Sequence, residues 1–169
     1  MTRNTIITTE RTYLSSPDTL ELDQIIKLDS DPEIMRYITK GKPRSRQESE
    51  EWIAKRLIDF KKHGFGLMPA YLIADDSFIG WGGLKHFDNT SKIEVGYRLD
   101  KPYWGMGFAT EITKGVIDYA SNKLGLKQLV AVTDLENEAS KKVLLKSGFK
   151  YISQAFHYQT DVDYFELNF

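Results

Sequence analysis

The order of hydrophobic periods along these 169 residues predicts a mixed α/β fold, with a central, mostly antiparallel sheet flanked by helices. Two observations carry that expectation. Apolar residues recur at helical spacing early in the chain, and from residue 67 the period shortens to that of strands joined by polar turns. A strand–helix–strand–helix unit then precedes a closing strand pair, which is neither a regular doubly wound sheet nor an internal repeat.

Residues 5–13 are expected to form an opening strand. Ser16-Pro17-Asp18 reads as a helix start, with Leu20, Ile25, Ile26 and Leu28 as its apolar stripe. Asp31-Pro32-Glu33 punctuates it, residues 34–38 add a short helical turn, and the polar residues 39–46 form a loop. A second helix begins near Gln47: Trp52, Ile53, Arg56, Leu57 and Phe60 share one spacing, and His63-Gly64 ends it. Residues 67–74 and 78–84 read as strands joined by Asp75-Asp76-Ser77, and residues 93–99 as the next strand. A central helix runs to about Leu124, followed by a strand over 128–132 and a short helix over 138–146. Residues 148–156 and 162–169 close the domain as an antiparallel pair.

Length and composition fit one domain spanning 1–169, with 41% hydrophobic and 28% charged residues. The net charge of -1 gives no global electrostatic case for nucleic-acid binding. Cysteine is absent, which excludes disulfides, thiolate nucleophiles and cysteine metal sites. The N-terminal residues lack a secretory apolar segment and no run reaches membrane-spanning length, so the expectation is a cytoplasmic protein, monomeric or homodimeric.

The run Trp104-Gly105-Met106-Gly107-Phe108-Ala109-Thr110-Glu111 lies between a strand and a helix. A glycine-spaced turn opening a helix presents unpaired backbone N–H groups and the positive end of the peptide dipoles, an arrangement suited to phosphate or pyrophosphate. The third glycine of the dinucleotide fingerprint and the Gly-Lys-Ser/Thr ending of a P-loop are both missing. By itself the spacing also fits an ordinary structural turn.

Three ordered segments sharpen this: Ile93-Glu94-Val95-Gly96-Tyr97-Arg98-Leu99, Tyr103-Trp104-Gly105-Met106-Gly107-Phe108-Ala109-Thr110-Glu111, and Asn137-Glu138-Ala139-Ser140 with Gly148-Phe149. Together the chain resembles a GCN5-related N-acetyltransferase (GNAT), in the branch similar to bacterial ribosomal-protein N-terminal acetyltransferases. The resemblance implies an acyl-CoA N-acyltransferase fold with acetyl-CoA as cosubstrate and no metal. It implies that backbone near Leu99 meets the pantetheine arm and that Gly105, Met106, Gly107, Phe108, Ala109 and Thr110 wrap the pyrophosphate. Asn137 would contact pantetheine and Ser140 would lie near the departing thiolate. Trp104 stands where the family commonly has Gln or Arg, so it is assigned no phosphate contact. Leu144 stands where many members carry a tyrosine acid, which moves attention to Ser140.

The implied reaction moves an acetyl group to a primary amine, either a peptide N-terminus or a small amine such as a polyamine, amino acid or antibiotic. A non-catalytic coenzyme A-binding regulatory module is the alternative. Strand alternation puts Glu94, Gly96 and Arg98 on one face, and Glu94 is the candidate general base. A salt bridge with Arg98 is its structural alternative. Asn137 can simply cap the helix it precedes. Of Lys141, Lys142 and Lys146, at least two are expected in solvent. His63 is also expected in solvent, at a helix C-terminus. His86 is a candidate for the acceptor cleft, and Trp81, Phe87, Tyr97 and Phe156 for its entrance. Residues 39–46, 86–89 and 154–161 are the segments expected to vary with the acceptor.

Overall fold

The computed structural model describes residues 3–169. Its eight strands form one sheet in the order β1-β2-β3-β4-β5-β6-β8-β7. The strands are β1 (Thr5–Thr8), β2 (Thr12–Ser15), β3 (Leu67–Leu72), β4 (Phe78–His86), β5 (Ile93–Leu99), β6 (Gln128–Asp134), β7 (Lys150–His157) and β8 (Thr160–Asn168). Every neighbouring pair is antiparallel except β5 and β6. The expected mixed, mostly antiparallel sheet is therefore present.

Four α-helices accompany the sheet: α1 (Leu22–Ser30), α2 (Arg46–His63), α3 (Phe108–Asn122) and α4 (Glu138–Lys146). Local capping and tertiary packing both shape them. Ser45 and Glu48 form a reciprocal capping box that starts α2, an arrangement in which the cap contributes about 1 kcal/mol. Helix α3 supplies the long crossover that parallel β5 and β6 need. Its apolar stripe, Phe108, Ile112, Val116 and Ala120, packs into a core with Leu14, Ile79, Val95 and Leu129. The opposite face of the sheet meets α2, where Trp52 packs on Trp81 of β4 at 5.5 Å between ring centres.

Three sequence expectations change. The opening strand is a hairpin: the chain reverses at residues 9–11, where Thr9 N–H donates to the Thr12 carbonyl at 2.9 Å. The Ser16-Pro17-Asp18 start opens only a 3-10 turn, Pro17–Thr19, and α1 begins at Leu22. Residues 34–38 form turns rather than helix. No helix among the described residues is long and apolar enough to cross a membrane.

Candidate active site

Strands β5 and β6 touch at a single parallel register, Glu94 with Val130. Beyond it they diverge, and the edges of residues 95–99 and 131–134 face one another across a cleft of about 860 Å³. Backbone donors and acceptors on those edges lack sheet partners there, so an extended ligand can bond to them as an added strand would. This divergence is a property of register, which no single segment reveals.

The glycine turn closes one end of the cleft. Gly105 and Gly107 adopt left-handed φ values of 72° and 83°, a conformation that a Cβ disfavours. Gly107 is the N-cap of α3 and offers no side-chain cap, so the first-turn amides have no side-chain acceptor. A Cβ built on Gly105 would meet no atom within 4 Å. Uncapped amides, the positive end of a 15-residue helix and open space fit a pyrophosphate.

Gly105, Gly107, Phe108, Ala109 and Thr110 line the cleft, as do Leu99, Asn137, Glu94 and Ser140. Met106 does not: its side chain is exposed and its carbonyl accepts from Arg11 at 3.0 Å. The Arg11 guanidinium also lies 4.2 Å from the centre of the Phe108 ring and pairs with Glu111 at 2.7 Å. Glu111 in turn accepts from Thr9 and from the Arg11 backbone N–H. The β1–β2 turn thus buttresses the glycine turn, a long-range role that neither residue announces in sequence. Trp104 gains a role as well: its indole N–H donates to the Leu99 carbonyl at 2.8 Å, tying the turn to the end of β5. That carbonyl therefore already has a partner.

Glu94 is 5% exposed. Arg98 is not its partner; that guanidinium pairs with buried Asp29 of α1 at 2.7 Å. Glu94 instead lies 3.2 Å from the Lys85 ammonium and accepts from the Tyr158 hydroxyl. Burial pushes its pKa above the usual carboxylate value, and the Lys85 and Tyr158 contacts only partly offset that. Tyr158 reaches Glu94 from the β7–β8 turn, where Tyr158 and Gln159 both take left-handed φ values, 52° and 62°. A tyrosine held in that sparsely populated region, with its hydroxyl on a buried carboxylate, marks a site where tertiary contacts outweigh local preference.

Across the divergence, the Asn137 side chain caps α4 by accepting from Ser140 N–H at 3.1 Å. Ser140 Oγ lies 2.8 Å from the Tyr97 hydroxyl, and burial pushes the Tyr97 pKa up to about 12. Leu144 is buried beneath them. Glu94 and Tyr97 project from opposite faces of β5, and the β5–β6 gap joins the two sides. Lys141 is not in bulk solvent: it bridges Asp163 at 2.7 Å and Glu138 at 2.9 Å, while Lys142 and Lys146 are exposed at the cleft rim.

Several expectations fall away from the cleft. His86 packs edge-on against His63 at 4.6 Å, outside the lining; His63 ends α2 as expected, but this contact half-buries it. Phe87 is buried under Tyr164, and Phe156 is exposed on β7. Among the described residues, no group of three or more His, Cys, Asp or Glu is arranged to hold a metal.

Comparison with known proteins agrees with this geometry. Residues 11–150 match the family described as acetyltransferase (GNAT) domain. The chain is 31% identical to an uncharacterized N-acetyltransferase of Schizosaccharomyces pombe, over 86% of this chain and 84% of that protein. It is 29% identical to FsC-acetyl coenzyme A-N(2)-transacetylase of Aspergillus fumigatus over 78% of this chain, but spans only 59% of that relative's length. The fold superposes on an acetyltransferase from Agrobacterium tumefaciens with TM-score 0.85 at 20% identity, covering 99% of this chain and 96% of that one. It also superposes on a ribosomal L7/L12 alpha-N-protein acetyltransferase with TM-score 0.82 at 12% identity, covering 100% and 96%. At those identities the likeness is of fold. The chain belongs to the acetyltransferase (GNAT) domain family.

Proposed function

We propose that this protein transfers an acetyl group from acetyl-CoA directly to a primary amine, with a peptide N-terminus as the leading acceptor. The observation that carries the reading is the β5–β6 divergence, which leads from the uncapped N-terminus of α3 to a buried carboxylate on one side and a paired hydroxyl on the other. The glycine turn and the start of α3 would hold the pyrophosphate, and the free edges of β5 and β6 the pantetheine arm. Acetyl-CoA supplies the activated acyl carbon.

The chain's residues then have two tasks. Glu94 takes the proton that the attacking amine must lose, either directly or through a water, and its raised pKa makes it a better base than an exposed carboxylate. A peptide α-amine, with a reference pKa of about 7.7–8.0, asks less of that base than a lysine amine at about 10.4. On the far side, Tyr97 can donate to Ser140 Oγ, which leaves the serine proton free to stabilise the departing thiolate. The high Tyr97 pKa keeps that phenol protonated, as such a relay needs.

The direct test is incubation with acetyl-CoA and panels of peptides and small amines, read by product mass. A singly acetylated product supports the reading and identifies the acceptor type. Tight coenzyme A binding without transfer to any amine overturns it in favour of a regulatory module.

A further inference from the structure

On the α2 side of the sheet, the cleft continues past Glu94 into a wall that acetyl transfer leaves unused. The β4–β5 ladder pairs Lys85 with Glu94, Gly83 with Gly96, and Trp81 with Arg98. Two glycines thus separate the carboxylate from an indole–guanidinium pair. A Cβ on Gly96 would stand 3.7 Å from the Trp81 ring, so the indole lies against this bare stretch of backbone. The Arg98 guanidinium sits 5.0 Å from the Trp81 ring centre, and that of Arg56 sits 5.3 Å from Trp52.

This wall holds more donors than the fold uses. Trp81 Nε1, Arg98 Nε and Arg56 Nε are buried and have no hydrogen-bond partner among the described residues. All three residues line the cleft, and Arg98 and Arg56 are only 5% and 9% exposed. One terminal nitrogen of each arginine is engaged: Arg98 with Asp29 at 2.7 Å and Arg56 with Asp59 at 3.3 Å. Asp29 also faces Arg44 at 3.4 Å, so one buried carboxylate answers two guanidinium groups. Buried donors left unpaired are rare because their desolvation is uncompensated. Three along one wall of a cleft, in a field of excess positive charge, suit an oxyanion.

We propose that this wall is a carboxylate subsite and that the acceptor is an amine whose carrier also bears a carboxylate. The amine meets Glu94, and the carboxylate meets Trp81, Arg56 and Arg98. This rests on the acetyltransferase reading and adds the substrate class. A polyamine is the wrong partner, because its further ammonium groups would face arginines. Positions 94 and 98 lie about 13 Å apart along the strand. That spacing suits an acidic side chain or the terminal carboxylate of a short peptide better than the α-carboxylate of a free amino acid.

The test pairs kinetics with binding. Acetyl transfer is measured for the dipeptide Ala-Glu, its fully amidated analogue Ala-Gln-amide, free glutamate and spermidine, in wild type, Trp81→Phe and Arg56→Gln. Tryptophan fluorescence is titrated with the same dipeptides without acetyl-CoA. The acid dipeptide is expected to exceed its amide at least tenfold in kcat/KM. Each variant should raise KM for the acid about tenfold while KM for acetyl-CoA stays constant, so that the acid loses its advantage over the amide. Preference for glutamate over the dipeptide would keep the subsite and correct the spacing. Equal use of acid and amide, or preference for spermidine, overturns the subsite while transfer stands. If no amine is acetylated but the acid dipeptide alone perturbs fluorescence, and Arg56→Gln abolishes this, the subsite stands and the transferase reading fails. Absence of both transfer and binding removes both.

Discussion

The Ser140 hydroxyl lies 2.8 Å from the Tyr97 hydroxyl, joining the first turn of α4 to β5 on the side of the sheet opposite Glu94. Leu144 offers no acid, so in the proposed mechanism this pair would serve as the proton route toward a leaving thiolate. Tyr97→Phe keeps the ring and its packing and removes only the relay. We expect kcat to fall about tenfold, the size of one lost hydrogen bond between neutral groups, with KM for acetyl-CoA unchanged. Steady-state kinetics checks this, and an unchanged kcat with chemistry rate-limiting would remove Tyr97 from the mechanism.

If Glu94 is the proposed base, it sets the acid limb of activity. Its folded pKa is raised above the ordinary 4.5 by burial, so kcat/KM should rise with pH through that higher value. The Tyr158 and Lys85 contacts pull the other way. Tyr158→Phe should therefore move the limb to higher pH, and Glu94→Gln should abolish it. Stability follows with its own sign. Between 4.5 and the folded pKa the native state binds more protons than the unfolded chain, so Glu94 makes stability fall as pH rises through this window. Thermal melts of wild type and Glu94→Gln across it should diverge, with wild type losing ground toward higher pH.

Much of this arrangement is legible in residue order. Helix α4 and strand β5 run as their patterns require, because Asn137 caps one and strict alternation marks the other. Gly105 and Gly107 announce a turn that only left-handed backbone can make. The β1–β2 reversal is hidden, since Thr9-Glu10-Arg11 carries no glycine, proline or asparagine and is held by threonine hydroxyls and Glu111. Tyr158-Gln159 is equally silent, being a left-handed turn written in residues that disfavour one. The β5–β6 divergence and the pairing of Arg98 with Asp29 belong to no single segment and arise only when distant elements pack.

Gly105→Ala separates strain from ligand space. A left-handed alanine costs about 1–2 kcal/mol, and nothing in the protein lies within 4 Å of the added methyl. Stability should fall by that amount and no more. If the space is the pyrophosphate cradle, KM for acetyl-CoA rises well beyond the stability change, while KM for the acceptor stays constant. An unaltered KM for acetyl-CoA, measured below the variant's melting range, would place the phosphates elsewhere.

Glu111 tests whether the β1–β2 turn holds that cradle in shape. Its carboxylate accepts from Thr9 Oγ1 at 2.6 Å, Arg11 N at 2.7 Å and Arg11 Nε at 2.7 Å, while Arg11 holds the Met106 carbonyl at 3.0 Å. Burial raises the Glu111 pKa, but these donors outweigh it and hold the carboxyl below 4.5. A depressed carboxylate contributes stability that is complete above the unfolded value and is lost as pH falls through the folded one. Glu111→Ala should therefore cost about 1–3 kcal/mol near neutral pH, and the gap to wild type should narrow in acid. Because Arg11 loses its anchor, KM for acetyl-CoA should also rise while the pH limb set by Glu94 stays in place. A melt series from neutral to acid pH, run beside acetyl-CoA titrations, separates this coupling from a local salt bridge. In the local case stability alone would change.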